Sequence, residues 1–207
     1  MKLTGYGIVL RRVSKDDVQQ IRMWRNAPHV LSQMFFQEEI SDLQQLAWFD
    51  SIDNPLNYYF IISAKGEDVG VIYAKNVNPT TLTGEGGIFM GKQEILTTQI
   101  PALASLLLLR FCFEKLGVNA SVAQVKADNS VARSFNEMLG YECISQNENK
   151  LTMVLTKEGF LKSKNNWNLG ALNNEEMVLE GEVSPKNLPQ INSHLALKGQ
   201  NLLFVSF

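Results

Sequence analysis

Few side chains in this sequence of 207 residues have the type and spacing to carry chemistry unaided. The two cysteines, Cys112 and Cys143, form no CxxC pair, and the two histidines, His29 and His194, stand far apart. A structural zinc site draws four such ligands from short pairs, so none is expected. Cys112 falls in the middle of an apolar stretch with helical character, where a thiol is buried and inert. What remains is backbone chemistry. Leu96-Thr-Thr-Gln-Ile-Pro-Ala102 leads into a long helix with Pro101 as its first residue, a position where the missing N–H costs nothing. The start of such a helix offers free N–H groups and the positive end of a dipole, which suits a phosphate or other anion.

The elements around that helix read as strands and helices in alternation, with no internal repeat. Gly7–Val13 reads as a strand. Ser14 with Asp17, and Ser41 with Gln44, have the spacing of capping boxes, which predicts two helices. The first, with Val18, Ile21 and Trp24 facing inward, stops at Asn26 ahead of Pro28. The second runs to about Ser51 with Leu43, Leu46 and Ala47 as its inner face. Tyr58–Ser63 and Val69–Val77 predict a hairpin, and Gly87–Met90 the core of a third strand. The long helix runs from Pro101 to Leu116 with Gly117 as its C-cap, apolar on nearly every side and so expected at the centre. Val118–Lys126 is a strand. Asp128-Asn129-Ser130 caps a further helix, with Val131, Phe135 and Met138 on one face and Gly140 as its stop. Tyr141–Ser145 and Leu151–Thr156 close the pattern as a hairpin. Only the long helix and the one after it can serve as crossovers between parallel strands. The expected architecture is therefore α/β (α+β): a mixed, mostly antiparallel central sheet flanked by helices, with one parallel step. Ligands favour such a step.

Composition agrees. Hydrophobic residues make up 45% and charged residues 19%, enough for a full core. A formal net charge of −2 gives no electrostatic drive toward nucleic acid. No apolar run reaches the roughly 18 residues of a membrane helix; that of residues 100–113 is broken by Ser105 and Arg110. The N-terminus shows no signal-peptide core, so a soluble, reducing, cytoplasmic setting is expected. From Ser163 the chain turns polar and asparagine-rich. We divide it at residue 160 into a folded domain, 1–160, and a linker with an accessory β-rich extension, 161–207. In that extension Met177–Val183 and Leu195–Phe207 read as strands, expected to add to a sheet edge within the chain or across a homodimer.

DNSVARSFNEMLGYE, residues 128–142, resembles the closing motif of the GNAT superfamily of acetyl-coenzyme A-dependent N-acetyltransferases, through Asn129, Ala132, Phe135, Gly140 and Tyr141. The element order resembles that superfamily across residues 7–156. The resemblance implies the GNAT fold and acetyl-CoA as acetyl donor. It places the pyrophosphate over the start of the long helix, at Thr97, Thr98, Gln99, Ile100 and Ala102, with Asn129, Ala132 and Phe135 also on the cofactor side. Family members commonly carry a glycine-rich loop there. This sequence has none, and side-chain hydrogen bonds from Thr97, Thr98 and Gln99 are the expected substitute; ordinary capping is the alternative role for Thr98 and Gln99. The resemblance also implies a carboxylate base before the third strand of the central sheet, Glu85, with a solvated turn residue as its alternative role. At the usual place of the tyrosine acid stands Asn136. An amide cannot give up a proton, though it can hydrogen-bond a sulfur. Tyr141 is assigned to core packing.

WRNAPHVLSQMF, followed by EEIS and WF, is similar to the start of aminosugar N-acetyltransferases acting on nucleotide-linked 4-amino sugars, of the pseudaminic acid pathway type. A like opening occurs in ribosomal-protein alanine N-acetyltransferases. By this resemblance Arg25, Met34, Phe35 and Phe49 are acceptor-side candidates; the alternatives are an ion pair for Arg25 and a plain hydrophobic anchor for residues 34–36. Trp24 is assigned to the core. The expected activity is acetylation of a UDP- or dTDP-linked amino sugar. Acetylation of a protein N-terminus or another small amine, and a non-catalytic ligand-binding module, are the alternatives.

Overall fold

The computed structural model describes residues 1–166 and 175–181. It opens on a hairpin of β1 (Lys2–Gly5) and β2 (Ile8–Arg12). Tyr6 and Gly7 at its turn have φ of 58° and 69°, the pair of left-handed residues that a two-residue hairpin turn demands. The strand expected at Gly7–Val13 is thus the second arm. The first went unread because tyrosine is an uncommon occupant of that region.

The Ser14–Asp17 capping box leads through a 3-10 turn into α1 (Val18–Asn26). Asp17 is also gripped by Arg11 through two bonds of 2.8 and 2.9 Å, which ties the helix start to β2. Ala27 is extended, as expected before proline, but Pro28 immediately starts another turn, α2 (Pro28–Leu31). The Ser41–Gln44 box opens α3 (Asp42–Ile52). Its inner residues are Gln45, Trp48, Phe49 and Ile52. Leu43, Leu46 and Ala47, expected inside, face outward instead. Apolar residues occur all round α3, so their spacing does not select a side.

β3 (Tyr58–Ala64), β4 (Glu67–Asn78) and β5 (Thr83–Met90) follow as an antiparallel meander. α4 (Ile100–Arg110) is central and covered, with Ala104 to Leu109 all buried. It ends in a π turn, Phe111–Lys115, where Leu116 N bonds back to Phe111 O at 3.0 Å. Then come β6 (Ala120–Lys126), α5 (Ser130–Leu139), β7 (Glu142–Gln146), β8 (Lys150–Thr156), α6 (Lys157–Asn166) and β9 (Val178–Glu180). On α5 the inner residues are Ala132, Phe135 and Leu139, whereas Val131 is 79% exposed and Met138 is exposed too, against expectation. The strand order is β7-β8-β6-β5-β4-β3-β2-β1-β9, and β5 with β6 is its one parallel pair. This is the mixed sheet with one parallel step. α4 and α5 cover one face, over a core that includes Phe60, Leu107, Phe111 and Met153. α1 and α3 cover the other, over Ile21, Ile52, Tyr59, Ile61 and Val71.

Of the two expected tail strands, the first appears as β9, paired antiparallel to β1 within the chain. The second, Leu195–Phe207, lies outside the described residues, as does His194. Glu175 anchors the segment: its carboxylate accepts from Tyr6 N at 2.6 Å and its carbonyl from Arg110 Nη1 at 2.9 Å. α6 runs through residue 160, with Phe160 buried and stacked on Phe113 at 5.2 Å. We propose that the accessory extension begins after α6. A chain cut after Asn166 is then expected to fold and to lose about 1–3 kcal/mol in urea melts, the worth of a few net hydrogen bonds. Failure of that fragment to refold would make the tail part of the core.

Candidate active site

The parallel pair is short. β5 and β6 are in register at Thr83–Ala120, Gly84–Ser121 and Glu85–Val122, and pairing stops there. Yet β5 continues beside β4 to Met90, and β6 continues beside β8 to Lys126. The two strands therefore part like a fork at their carboxyl ends. Because β5 feeds α4 and β6 feeds α5, both helix N-termini stand at the open end. Backbone N–H and C=O groups facing across the fork lack a strand opposite, so an extended polar chain can pair there.

Glycines keep the fork narrow. A Cβ on Gly86 would lie 3.1 Å from Ser121 Oγ and 3.4 Å from Tyr141 Oη, which bond each other at 2.8 Å beneath it on the α4 face. Tyr141 is buried and its ionisation is pushed well up by desolvation, the packing role expected of it. On the opposite face a Cβ on Gly87 would overlap the Tyr73 hydroxyl.

At the start of α4, Thr98 turns its hydroxyl inward, donating to Ile95 O at 2.7 Å and accepting from Ile100 N at 3.2 Å. That is local capping. Thr97 Oγ1 donates to Glu94 O at 3.3 Å. Pro101 has no N–H, and Gln99 N and Ala102 N have no partner among the described residues. Two donors thus face the open end, fewer than a glycine-rich loop would give. On α5, Asn129 caps its own helix, Oδ1 accepting from Ala132 N at 2.9 Å. Phe135 leans into the core, and Asn136 Nδ2 is tied to Ala132 O at 2.8 Å.

The α1/α3 face of the fork differs. Glu85 does not precede β5 but lies inside it, on the last paired rung, with its carboxylate 3.0 Å from Lys75 Nζ. Beside them run Trp48, Tyr59 and Tyr73: Trp48 meets Tyr59 edge-on at 5.4 Å, and Tyr59 stacks on Tyr73 at 4.8 Å. Burial, then the Glu85 charge, pushes the Tyr73 hydroxyl up to about 12, against an opposing pull from Arg25, so it stays a neutral donor. It has no hydrogen-bond partner among the described residues.

Arg25 reaches this face from α1. Nη2 donates to Phe36 O at 3.3 Å, while Nη1 is buried without a partner, and burial pulls the guanidinium's ionisation down. No carboxylate pairs with it among the described residues. Trp24 packs on Gly91, and Phe49 is partly buried against the core under α3. α2 and the residue after it cross the mouth of the fork: a His29 ring nitrogen lies 3.1 Å from Met90 O at the end of β5, and Ser32 O accepts from Lys126 Nζ at 3.2 Å at the end of β6. Met34 is half-buried there and Phe35 is 54% exposed. Lys75, Tyr59 and Tyr73 were missed in the sequence. The alternation of β4 sets 73 and 75 on one face, and Tyr59 joins them only through the β3–β4 register that pairs it with Tyr73.

The model of the acetyltransferase (GNAT) domain family matches residues 8–142. This chain belongs to the GNAT acetyltransferases. The family transfers acetyl from acetyl-CoA, so this GNAT enzyme uses acetyl-CoA as donor. The forked strands, the closed-off Gly86 and the free N–H groups at α4 fit such a donor. Solved structures agree in fold. The spermidine N-acetyltransferase of Vibrio cholerae, in complex with CoA and spermine, is 16% identical with a TM-score of 0.67, over 75% of this chain and 98% of that one. Apo FdhC, a nucleotide-linked sugar GNAT, is 20% identical with a TM-score of 0.68, over 80% and 96%. A domain from Methanocaldococcus jannaschii is 19% identical with a TM-score of 0.65, over 72% and 97%. No curated protein matches the sequence. Among the described residues no helix is long and apolar enough to cross a membrane, and no three metal-ligating side chains gather.

Proposed function

We propose that this GNAT enzyme acetylates the amine of a nucleotide-linked amino sugar. The carrying observation is the charge of the acceptor face. Its guanidinium, Arg25, has a buried nitrogen without a partner among the described residues, and the carboxylate on the last paired rung, Glu85, is already matched by Lys75. A polyamine needs the reverse, carboxylates without counter-ions. An acceptor that brings its own negative charge supplies what Arg25 lacks. The resemblance of residues 24–49 to aminosugar enzymes and the likeness in fold to FdhC support the same reading.

In this scheme Glu85 takes the proton from the attacking amine, directly or through water. Tyr73, neutral and unpartnered, donates a hydrogen bond to the acceptor beside it. The leaving sulfur is protonated by water, since the Asn136 amide has no proton to give up. The donor's pyrophosphate lies over Gln99 N and Ala102 N, with Asn129 and Ala132 shaping the α5 side. Thr98→Glu is expected to weaken acetyl-CoA binding at least tenfold, about 1.4 kcal/mol, without loss of fold, because an acid is welcome at a helix start. Calorimetry returning an unchanged Kd would place the pyrophosphate elsewhere. The deciding assay offers acetyl-CoA with UDP- and dTDP-amino sugars beside spermidine and N-terminal peptides. Turnover of spermidine or peptides alone would overturn the reading in favour of a small amine or a protein N-terminus.

A further inference from the structure

An open cavity of about 390 Å³ lies beside the fork, lined by Phe35, Asn147, Glu148, Asn149 and Lys150. One wall comes from the segment that crosses the fork, the other from the β7–β8 turn. The turn is set by Asn147, whose Oδ1 accepts from Asn149 N at 3.0 Å and from Lys150 N at 2.8 Å. That leaves its amide NH₂ as a donor, with the whole Asn149 side-chain amide also unused among the described residues. Glu148 and Lys150 have no ion-pair partner among the described residues. Phe35 presents a half-exposed ring over them. An exposed aromatic ring facing two free amides, one carboxylate and one ammonium is an unusual grouping for plain surface.

We propose that this cavity is a nucleoside diphosphate subsite. It rests on the nucleotide-sugar reading above and adds where the nucleotide is held and by what. A base stacks on Phe35, because every base has a π face and an unstacked ring in water gains from one. The amides of Asn147 and Asn149 reach its polar edge. The Glu148 carboxylate accepts from ribose hydroxyls. Lys150, with Lys126 one strand away in the same register, flanks the diphosphate. The spacing agrees. Lys126 is four residues beyond Val122, the rung beside Glu85, so at about 3.3 Å per residue the Lys126–Lys150 rung at the edge of the cavity lies roughly 13 Å along the sheet from Glu85. A pyranose ring and a diphosphate bridge such a gap. Phe35 therefore sits at the nucleotide end of the acceptor and Tyr73 at the sugar end, with Arg25, bonded to Phe36 O, between them where the diphosphate passes.

The test uses the full chain and UDP, dTDP and GDP as probes. At least one is expected to bind by calorimetry, and to do so equally well with the donor site filled by coenzyme A. Phe35→Ala is expected to weaken it about 5- to 100-fold, and Lys150→Met about tenfold. Both variants should keep the wild-type melting curve and the wild-type affinity for acetyl-CoA. Competition by coenzyme A, or equal binding by the variants, would overturn the subsite. Steady-state kinetics separate this from the wider reading. If nucleotide-linked amino sugars are turned over with the same KM by wild type and both variants, the function stands and the subsite falls. If no sugar nucleotide is acetylated while peptides or polyamines are, both fall.

Discussion

Glu85→Gln will lower kcat for acetyl transfer by about 100- to 10,000-fold, the range over which a positioned general base contributes. The glutamine keeps the shape of the side chain and its place on the last rung between β5 and β6, but it cannot take the proton from the amine. Lys75 keeps an acceptor, because the glutamine carbonyl oxygen takes the place of the carboxylate oxygen 3.0 Å from its ammonium. Release of coenzyme A thiol, followed with a saturating acceptor, measures the effect. The Kd for acetyl-CoA and the melting curve are expected to match wild type, which isolates chemistry from binding. A kcat within threefold of wild type would remove Glu85 from the mechanism and leave Lys75–Glu85 as a cross-strand ion pair.

The second large effect runs in opposite directions for activity and stability. Arg25→Met is expected to raise the acceptor's KM by about 10- to 100-fold, equivalent to the 1.5–3 kcal/mol of a charge-assisted hydrogen bond, with kcat little changed. Its melting temperature is expected to hold or rise. The guanidinium keeps one long bond, to Phe36 O, while its Nη1 is buried and unpaired. A methionine of similar length fills the space without a charge to dehydrate. A protein loses stability by keeping such a group unless a ligand completes it. A fall in melting temperature with an unchanged KM would make Arg25 a structural residue.

Local signals in the sequence were sufficient for most of the elements. The two capping boxes, Asn129, Gly117 and Gly140 each act within four or five residues, and each is found where its chemistry demands. The parallel step followed from which connections contain a helix. Facing was harder. Leu43, Leu46 and Ala47 are spaced as an inner face, yet Trp48 and Phe49 win because Tyr59 waits for them on β3. Val131 and Met138 lose to Ala132 and Leu139 for the same reason: a helix with apolar residues on several sides takes its orientation from the partner, not from itself. The site divides likewise. Thr98, Asn129 and Asn136 are occupied by bonds along their own chain segments, which sequence separation makes foreseeable. The pairing of Lys75 with Glu85, and the lack of an ion pair for Arg25 among the described residues, depend on strand register and on which helix covers which face. Neither leaves a trace in local pattern.

The three-rung seam between β5 and β6 also bears on how the molecule is made. Strands β1 to β5 pair almost entirely with their neighbours in sequence, so that half can zip up by hairpins as it leaves the ribosome. β6, α5, β7 and β8 form a second unit around the β6–β8 ladder. Within β1 to β8 the seam is the one ladder described between these two units, and its partners are 37 positions apart in the chain. With three rungs between two units held by longer ladders, the seam is the first line within β1 to β8 to open in a fluctuation. In native-state hydrogen exchange, amides of Ser121 and Val122 are expected to open at lower free energy than those of Ile61 and Ile72 in the meander. Under the proposed function, acceptor and donor then meet at the weakest line within β1 to β8, one that can breathe to admit them without unfolding either unit.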